Sequence, residues 1–232
     1  MKEYLTDKMD AVLAHQLQHL QRELQSMRIT PKPFITISRE FGCEGYPLAK
    51  RLTELLTTES NPWNVFGHDA IREISTNEEI STGLWETIPN ETRSVFTQYL
   101  DASLADKPTD YMLFRKMAKS IKVLSTSGHV IIVGAAASVL TRDSKYAYHF
   151  RLIASEEFRI QRVVEMGYSL NEAKLLVKER DEKRVHFVKQ FTGADIRNPS
   201  LYTATFNNSL LSVNEISNMI LSLIKQRTTE FA

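Results

Sequence analysis

The chain has 232 residues, 42% of them hydrophobic and 25% charged, a composition that suits a globular domain with its own core and excludes a disordered or fibrous chain. Its 29 basic residues nearly balance 28 acidic ones, so no overall charge draws it to nucleic acid or a membrane surface, and any anion site has to be local. The lone cysteine, Cys43, excludes an intrachain disulfide; with no secretory-type leader and no run near the ~20 apolar residues of a membrane span, the expectation is a cytoplasmic protein.

In chain order, Leu5, Met9, Leu13, Leu17, Leu20, Leu24 and Met27 recur at steps of three and four, which predicts an amphipathic helix over residues 1–30. Two readings of its stripe stay open: packing on its own domain, or pairing with a second copy as a homodimer. The prolines of Thr30–Pro33 end it. Residues 34–232 read as the main domain. Phe34–Ser38 is a strand, and Pro47 opens a helix whose face carries Leu48, Leu52, Leu55 and Leu56. Asn64–Phe66 is a weak strand. Helices are expected from Asn90, and from Thr109 to near Gly128. His129–Gly134 and Ala147–Ala154 are apolar runs of the kind found in strands covered on both faces. Ser155 caps a helix ending near Gly167, Ser169 and Glu172 form a capping box, Leu201–Phe206 reads as the last strand, and Ser212 and Glu215 cap the terminal helix.

Strands alternating with helices predict an α/β fold: a parallel sheet flanked by helices, plus the N-terminal helical appendage. Ligands of such sheets sit at the carboxyl ends of the strands, here the loops after Ser38, Phe66, Val133 and Ala154. The helices over residues 69–124 are expected to form a substrate-side subdomain. The first of those loops, Arg39 to Pro47, has the layout of a phosphate-binding loop between strand and helix. Gly45 occupies the place of the usual lysine, and Tyr46 and Pro47 that of the magnesium-binding hydroxyl. A plain strand–turn–helix connection would look much the same.

The stretch "ITISREFGCEGYPLAKRL" resembles the opening of the cytidylate-kinase-like family of P-loop proteins, which itself lacks the lysine and carries an arginine where Arg39 stands. The resemblance continues in order through "HVIIVGAAASVL", "HFRLIASEEFRIQRVVE", "KERDEKRVHFVKQFTGAD" and "LYTATFNNSLLSVNEISNMI". It implies a three-layer P-loop NTPase-like fold and phosphoryl transfer from ATP, with Mg2+, to a nucleoside monophosphate. The expected partners are therefore nucleotide small molecules, with no nucleic acid and no membrane.

The resemblance also assigns roles. Arg39 would replace the lysine on donor phosphates, held with the backbone of Gly42, Cys43, Glu44, Gly45 and Tyr46; alternatively Arg39 pairs with Glu40. Cys43 is either a thiol activated near a helix start or a small filler. Glu44 stands where the family has glycine and would repel a phosphate unless it turns away. Arg159 and Arg162 share a helix face and resemble a cationic lid closing on ATP, or else form a solvated face beside Glu156 and Glu165. Asp181 and Arg184 resemble the pair that contacts the acceptor, or form an ordinary ion pair. Ala135 takes the place of a family arginine, for which Arg142 or Arg151 could compensate, and Gly67 that of an aspartate, with His68 and Asp69 beside it. No C-x-x-C, H-E-x-x-H or G-x-S-x-G pattern points to a metal centre or a serine triad, and no basic–aromatic stripe points to a nucleic-acid reader. Two expectations follow: a pyrimidine nucleoside monophosphate kinase, or a catalytically degenerate nucleotide-binding regulatory module.

Overall fold

Alternation along the first strand sets the layers. The computed structural model describes residues 32–104 and 110–230; the predicted helix over residues 1–30 lies outside them. In β1 (Phe34–Arg39), Ile35 and Ile37 pack to one side and Phe34 to the other, as the two-residue period of a strand requires. β2 (Asn64–Gly67), β3 (Val130–Val133), β4 (Ala147–Ile153) and β5 (Ala204–Asn207) complete an all-parallel sheet in the order β2-β3-β1-β4-β5. β1 and β3, central and fully covered, are near-continuous apolar runs for that reason.

One face is covered by α1 (Gly45–Leu56) and by α9 (Val213–Glu230). Leu48, Leu52, Ile216 and Ile220 bury against Ile35, Ile37, Val133 and Phe150; each such side chain contributes about 1.5–3 kcal/mol. The other face carries α2 (His68–Thr76), α3 (Glu78–Glu86), α4 (Asn90–Leu104) and α5 (Asp110–Ser127). Their core runs unbroken into the sheet, since Ile71, Leu84, Leu100 and Ile121 share one cluster with Phe34, Phe66 and Ile132. Four residues, α6 (Ala137–Leu140), follow β3, and α7 (Glu156–Glu165) and α8 (Leu170–Thr192) form a hairpin held by Val163, Ala173 and Val177.

The predicted caps are present. Ser155 accepts from the Phe158 N–H at 3.2 Å, Ser169 and Glu172 close a capping box, and Ser212 pairs reciprocally with Glu215. The last strand is shorter than expected. Pro199–Leu201 is a 3-10 turn because the Asn198 side chain accepts from the Ser200 N–H, so the strand begins only at Ala204. No helix among the described residues is long and apolar enough to cross a membrane.

Candidate functional site

The loop from Glu40 to Gly45 bonds mostly to its own protein. Glu40 N–H donates to Leu152 O, Cys43 N–H to Glu40 O, and Gly45 N–H to Cys43 O. Two further amides are taken by distant side chains: Phe41 N–H donates to Asp181 Oδ1 at 2.7 Å, and Glu44 N–H to Asn208 Oδ1 at 2.8 Å. Among the described residues only the Gly42 and Tyr46 N–H groups of this loop have no acceptor. Gly42, at φ 92°, lies against α7; a Cβ there would sit 2.6 Å from Arg159 O. Glu44 turns away from the loop amides. Its carboxylate accepts from Arg162 Nη2 at 2.6 Å and from Asn208 Nδ2 at 3.2 Å.

Arg39 leaves β1 between two glycines. Its alkyl chain packs on Gly45, its guanidinium lies against Gly134, and its charge sits over the Tyr46 ring at 5.7 Å. The Tyr46 hydroxyl in turn fills the space a Cβ on Gly67 would need. Gly67 and Tyr46 are thus one packing feature. The Arg39 guanidinium has no hydrogen bond or ion pair among the described residues, and burial lowers its pKa. The alternative pairing with Glu40 is not made, because Glu40 turns toward β4. Its Oε2 accepts from Ala154 N–H at 3.1 Å, and its carboxylate lies 3.6 Å from both Arg151 and Arg159.

Behind the loop, Arg151, Arg159 and Arg184 face two carboxylates, Glu40 and Asp181, and the Arg39 charge acts on Arg184. Arg159 is nearly buried, bonded to Asp181 and, through Nε, to Ala154 O at 3.2 Å. Arg184 Nη1 donates to Arg39 O at 2.7 Å and to Asp181 at 3.4 Å. Burial first, then the Arg39 charge, bring Arg184 down to about 10, with Asp181 acting the other way. It stays charged at neutral pH, in a cluster holding more cations than its carboxylates balance. Cys43 is a filler: burial and then the Glu40 charge push its thiol up to about 12, the reverse of an activated thiol.

One cavity of this region lies beside the loop, at the carboxyl ends of β1 and β3. It has a volume of about 290 Å3, and Arg39, Arg180, Lys183 and Arg184 supply its positive wall. Phe187, Val188 and Ile196 form an apolar side, and His68 closes it from α2. The opposite wall is the turn Gly134–Ser138, in which Gly134, Ala135 and Ala136 have φ of 85°, 55° and 58°. Two alanines held in the left-handed region cost about 1–2 kcal/mol each, a strain found most often at functional sites.

Of the predicted site residues, the structure brings Arg39 and Arg184 to this cavity. Asp181 does not line it; with Arg39 and Arg184 it lines a neighbouring cavity of about 410 Å3, and its Oδ1 accepts from the Phe41 N–H. Arg162 is held by Glu44 and Glu165, and its buried Nε has no partner. Arg142 stays outside on Asp143, while Arg151 is buried and donates to Ile196 O at 2.9 Å. His68 reaches the cavity, whereas Asp69 points to solvent. Asn208 and Ser138 were not anticipated, and neither belongs to a pattern that singles it out. A protein-held magnesium ion does not fit these residues. No hydroxyl stands at Tyr46 or Pro47 in the expected place, Glu40 and Asp181 are held by guanidinium groups, and no metal-binding cluster of His, Cys, Asp or Glu exists among the described residues. A triphosphate fits the loop only after Asp181 and Asn208 release its amides.

An uncharacterized protein from Eubacterium ventriosum has a similar fold, with 17% identity over 84% of this chain and 99% of that one, at a TM-score of 0.57. A gluconokinase from Sinorhizobium meliloti (12% identity, 88% and 97% covered, TM-score 0.49) and a shikimate kinase from Bacteroides thetaiotaomicron (13%, 83% and 98%, TM-score 0.44) also match, too distantly to carry an argument. No curated protein matches the chain. A family model does, over residues 34–210, which span the sheet, the loop and the cavity: the chain belongs to the cytidylate kinase-like family.

Proposed function

We propose that this protein transfers the γ-phosphoryl group of ATP to a pyrimidine nucleoside monophosphate. The observation that carries the reading is the cavity at the strand ends, lined by the Arg39 guanidinium, which has no hydrogen bond or ion pair among the described residues, beside Arg180, Lys183 and Arg184. A dianionic phosphate is the ligand such a wall accepts. Family membership supports a nucleotide. Membership of a cytidylate kinase-like family supports a pyrimidine base.

On this reading Arg39 and Arg184 hold the acceptor phosphate. The donor lies along the β1 loop once Asp181 and Asn208 have left the Phe41 and Glu44 amides. Arg162, released from Glu44, and Arg159 then face the transferring group. The bond from γ-phosphorus to its bridging oxygen breaks, an acceptor phosphate oxygen takes its place, and ADP leaves; positioning and charge supply most of the catalysis. A reducing cytoplasm, and pairing through residues 1–30, belong to the same proposal. A coupled assay with ATP and magnesium across CMP, dCMP, UMP and AMP tests it: turnover with CMP or UMP is expected, and none with any of the four removes the reading.

A second reading, a nucleotide-binding regulatory module, is favoured by one observation: two loop amides are already bonded to Asp181 and Asn208. Calorimetry that finds nucleotide bound without transfer selects it.

A further inference from the structure

The chain enters the described fold beside an apolar groove, at the opposite end of the sheet from Arg39. The groove has a volume of about 570 Å3 and lies between α4, α5 and the segment joining α6 to β4. Val95, Phe96, Leu140 and Tyr146 give it an apolar lining. Val95 is 68% exposed and Tyr146 38%, so large apolar side chains meet solvent from two of its walls. The Lys122 ammonium, also in the groove, lies over the Phe96 ring at 5.6 Å with no hydrogen bond or ion pair among the described residues, and burial lowers its pKa. The path of the chain indicates what covers this surface. Phe34 N–H donates to Tyr146 O at 3.1 Å, so β1 starts at one wall of the groove. Lys32 packs on Gly128, directly after α5, the helix that carries Lys122. The residues before Lys32 hold the apolar stripe from Leu5 to Met27. From Met27 to Phe34 the chain reaches at most ~25 Å, which keeps the last turns of the stripe near Tyr146. On a helix, Glu23 borders that part of the stripe, three residues from Leu20 and four from Met27.

We propose that residues 20–27 dock as an amphipathic helix in this groove of their own domain, with Leu20, Leu24 and Met27 against Val95, Leu140 and Tyr146 and with Glu23 toward Lys122. An apolar helix face laid into an apolar groove is a recurrent docking mode, and the short tether raises its effective concentration. The last two turns of the stripe then pack on their own domain, and Leu5, Met9, Leu13 and Leu17 remain for pairing with a second copy. The docked segment also backs the cavity at the other end of the sheet. α6 is only four residues long; Ala137 and Ser138 line the cavity, and Val139 and Leu140 line the groove.

A nitroxide attached through Q25C, on the helix face away from the stripe, tests this in the 15N-labelled full chain; intact mass confirms that the buried Cys43 takes no label. Paramagnetic broadening is expected at the amides of Val95, Leu140 and Tyr146, and not at Gly42 or Asn208 at the far end of the sheet. Tethering alone brings the label near Tyr146, so two charge variants separate docking from proximity. L24E, and V95E at a position already exposed, should each lower the ratio of docked to undocked chain about tenfold and relieve the broadening at Leu140; thermal unfolding reports whether they fold. Broadening that persists in either variant, or that falls outside the groove, overturns the proposal. In a mixture of nitroxide-bearing unlabelled chain with 15N-labelled chain lacking the nitroxide, the groove amides should stay sharp. Broadening there puts a second copy's segment in the groove and overturns the assignment to the chain's own.

Discussion

Replacing Glu44 with glutamine tests whether the β1 loop holds itself closed. The carboxylate sits 2.6 Å from Arg162 Nη2 and 3.2 Å from Asn208 Nδ2, and its side chain is 20% exposed against 34% for Arg162. Unit charges about 4 Å apart are worth ~1 kcal/mol in water and ~4 at an intermediate dielectric, before desolvation and side-chain ordering are subtracted. For a pair this exposed a net ~1 kcal/mol remains. E44Q should therefore lower unfolding stability by about 1 kcal/mol. The same substitution removes a negative charge beside the donor loop and frees Arg162 for phosphate. Recovering a comparable ~1.4 kcal/mol tightens ATP about tenfold. Urea denaturation reads the first effect and calorimetry the second. The opposite signs are what count: a variant that loses stability while ATP affinity stays the same or weakens refutes the idea that Glu44 competes with the donor.

Three further outcomes follow from the same contacts. G67A places a methyl group on the Tyr46 hydroxyl, with the ring carbon Cζ only 2.7 Å away. It should lose about 1–3 kcal/mol, and Y46A/G67A should recover most of that; equal losses in the single and double variants would show the two positions to be uncoupled. Burial holds the His149 imidazole down to about 4, with Nδ1 2.7 Å from Thr36 Oγ1. The unfolded chain takes this proton near pH ~6.5 and the folded chain only near the lower value. Stability should therefore fall as pH drops from ~6.5 toward ~4, by up to ~3 kcal/mol, and H149Q should lack that part of the urea-midpoint profile. Cys43, with its thiol near 12, should react with iodoacetamide at pH 8 about a thousandfold more slowly in the folded protein than in urea, read by intact mass; comparable rates would contradict the burial.

What could be read from the sequence was local. The strands Phe34–Arg39 and Val130–Val133 and the Ser-x-x-Glu caps at Ser169 and Ser212 depend on residues within a turn or two, and they stand where the patterns put them. The glycine-punctuated turn after β1 was equally legible. What its amides bond to was not, because the acceptors lie 140 residues away at Asp181 and 164 residues away at Asn208. Nothing in "FNNSL" distinguishes Asn208 from an ordinary turn asparagine. The turn after β3 was hidden for a different reason: alanine has no preference for positive φ, so "GAAAS" reads as the loss of an arginine and not as a strained, amide-rich bend.

The departures from the family pattern come in coupled sets, and that bears on whether they are decay. Glu44 alone would leave a carboxylate at a phosphate loop, yet Arg162 and Asn208 receive it. Tyr46 alone would collide with any side chain at position 67, and position 67 is glycine. Random loss after function has gone has no reason to match its partners across the fold. It would leave unpaired charges and overlaps, each destabilising by a few kcal/mol. Matched sets are what keeps the cleft folded at each of these positions. The excess of guanidinium groups over carboxylates points the same way, because burying unbalanced cations weakens an empty domain and is tolerated where an anion arrives to balance them.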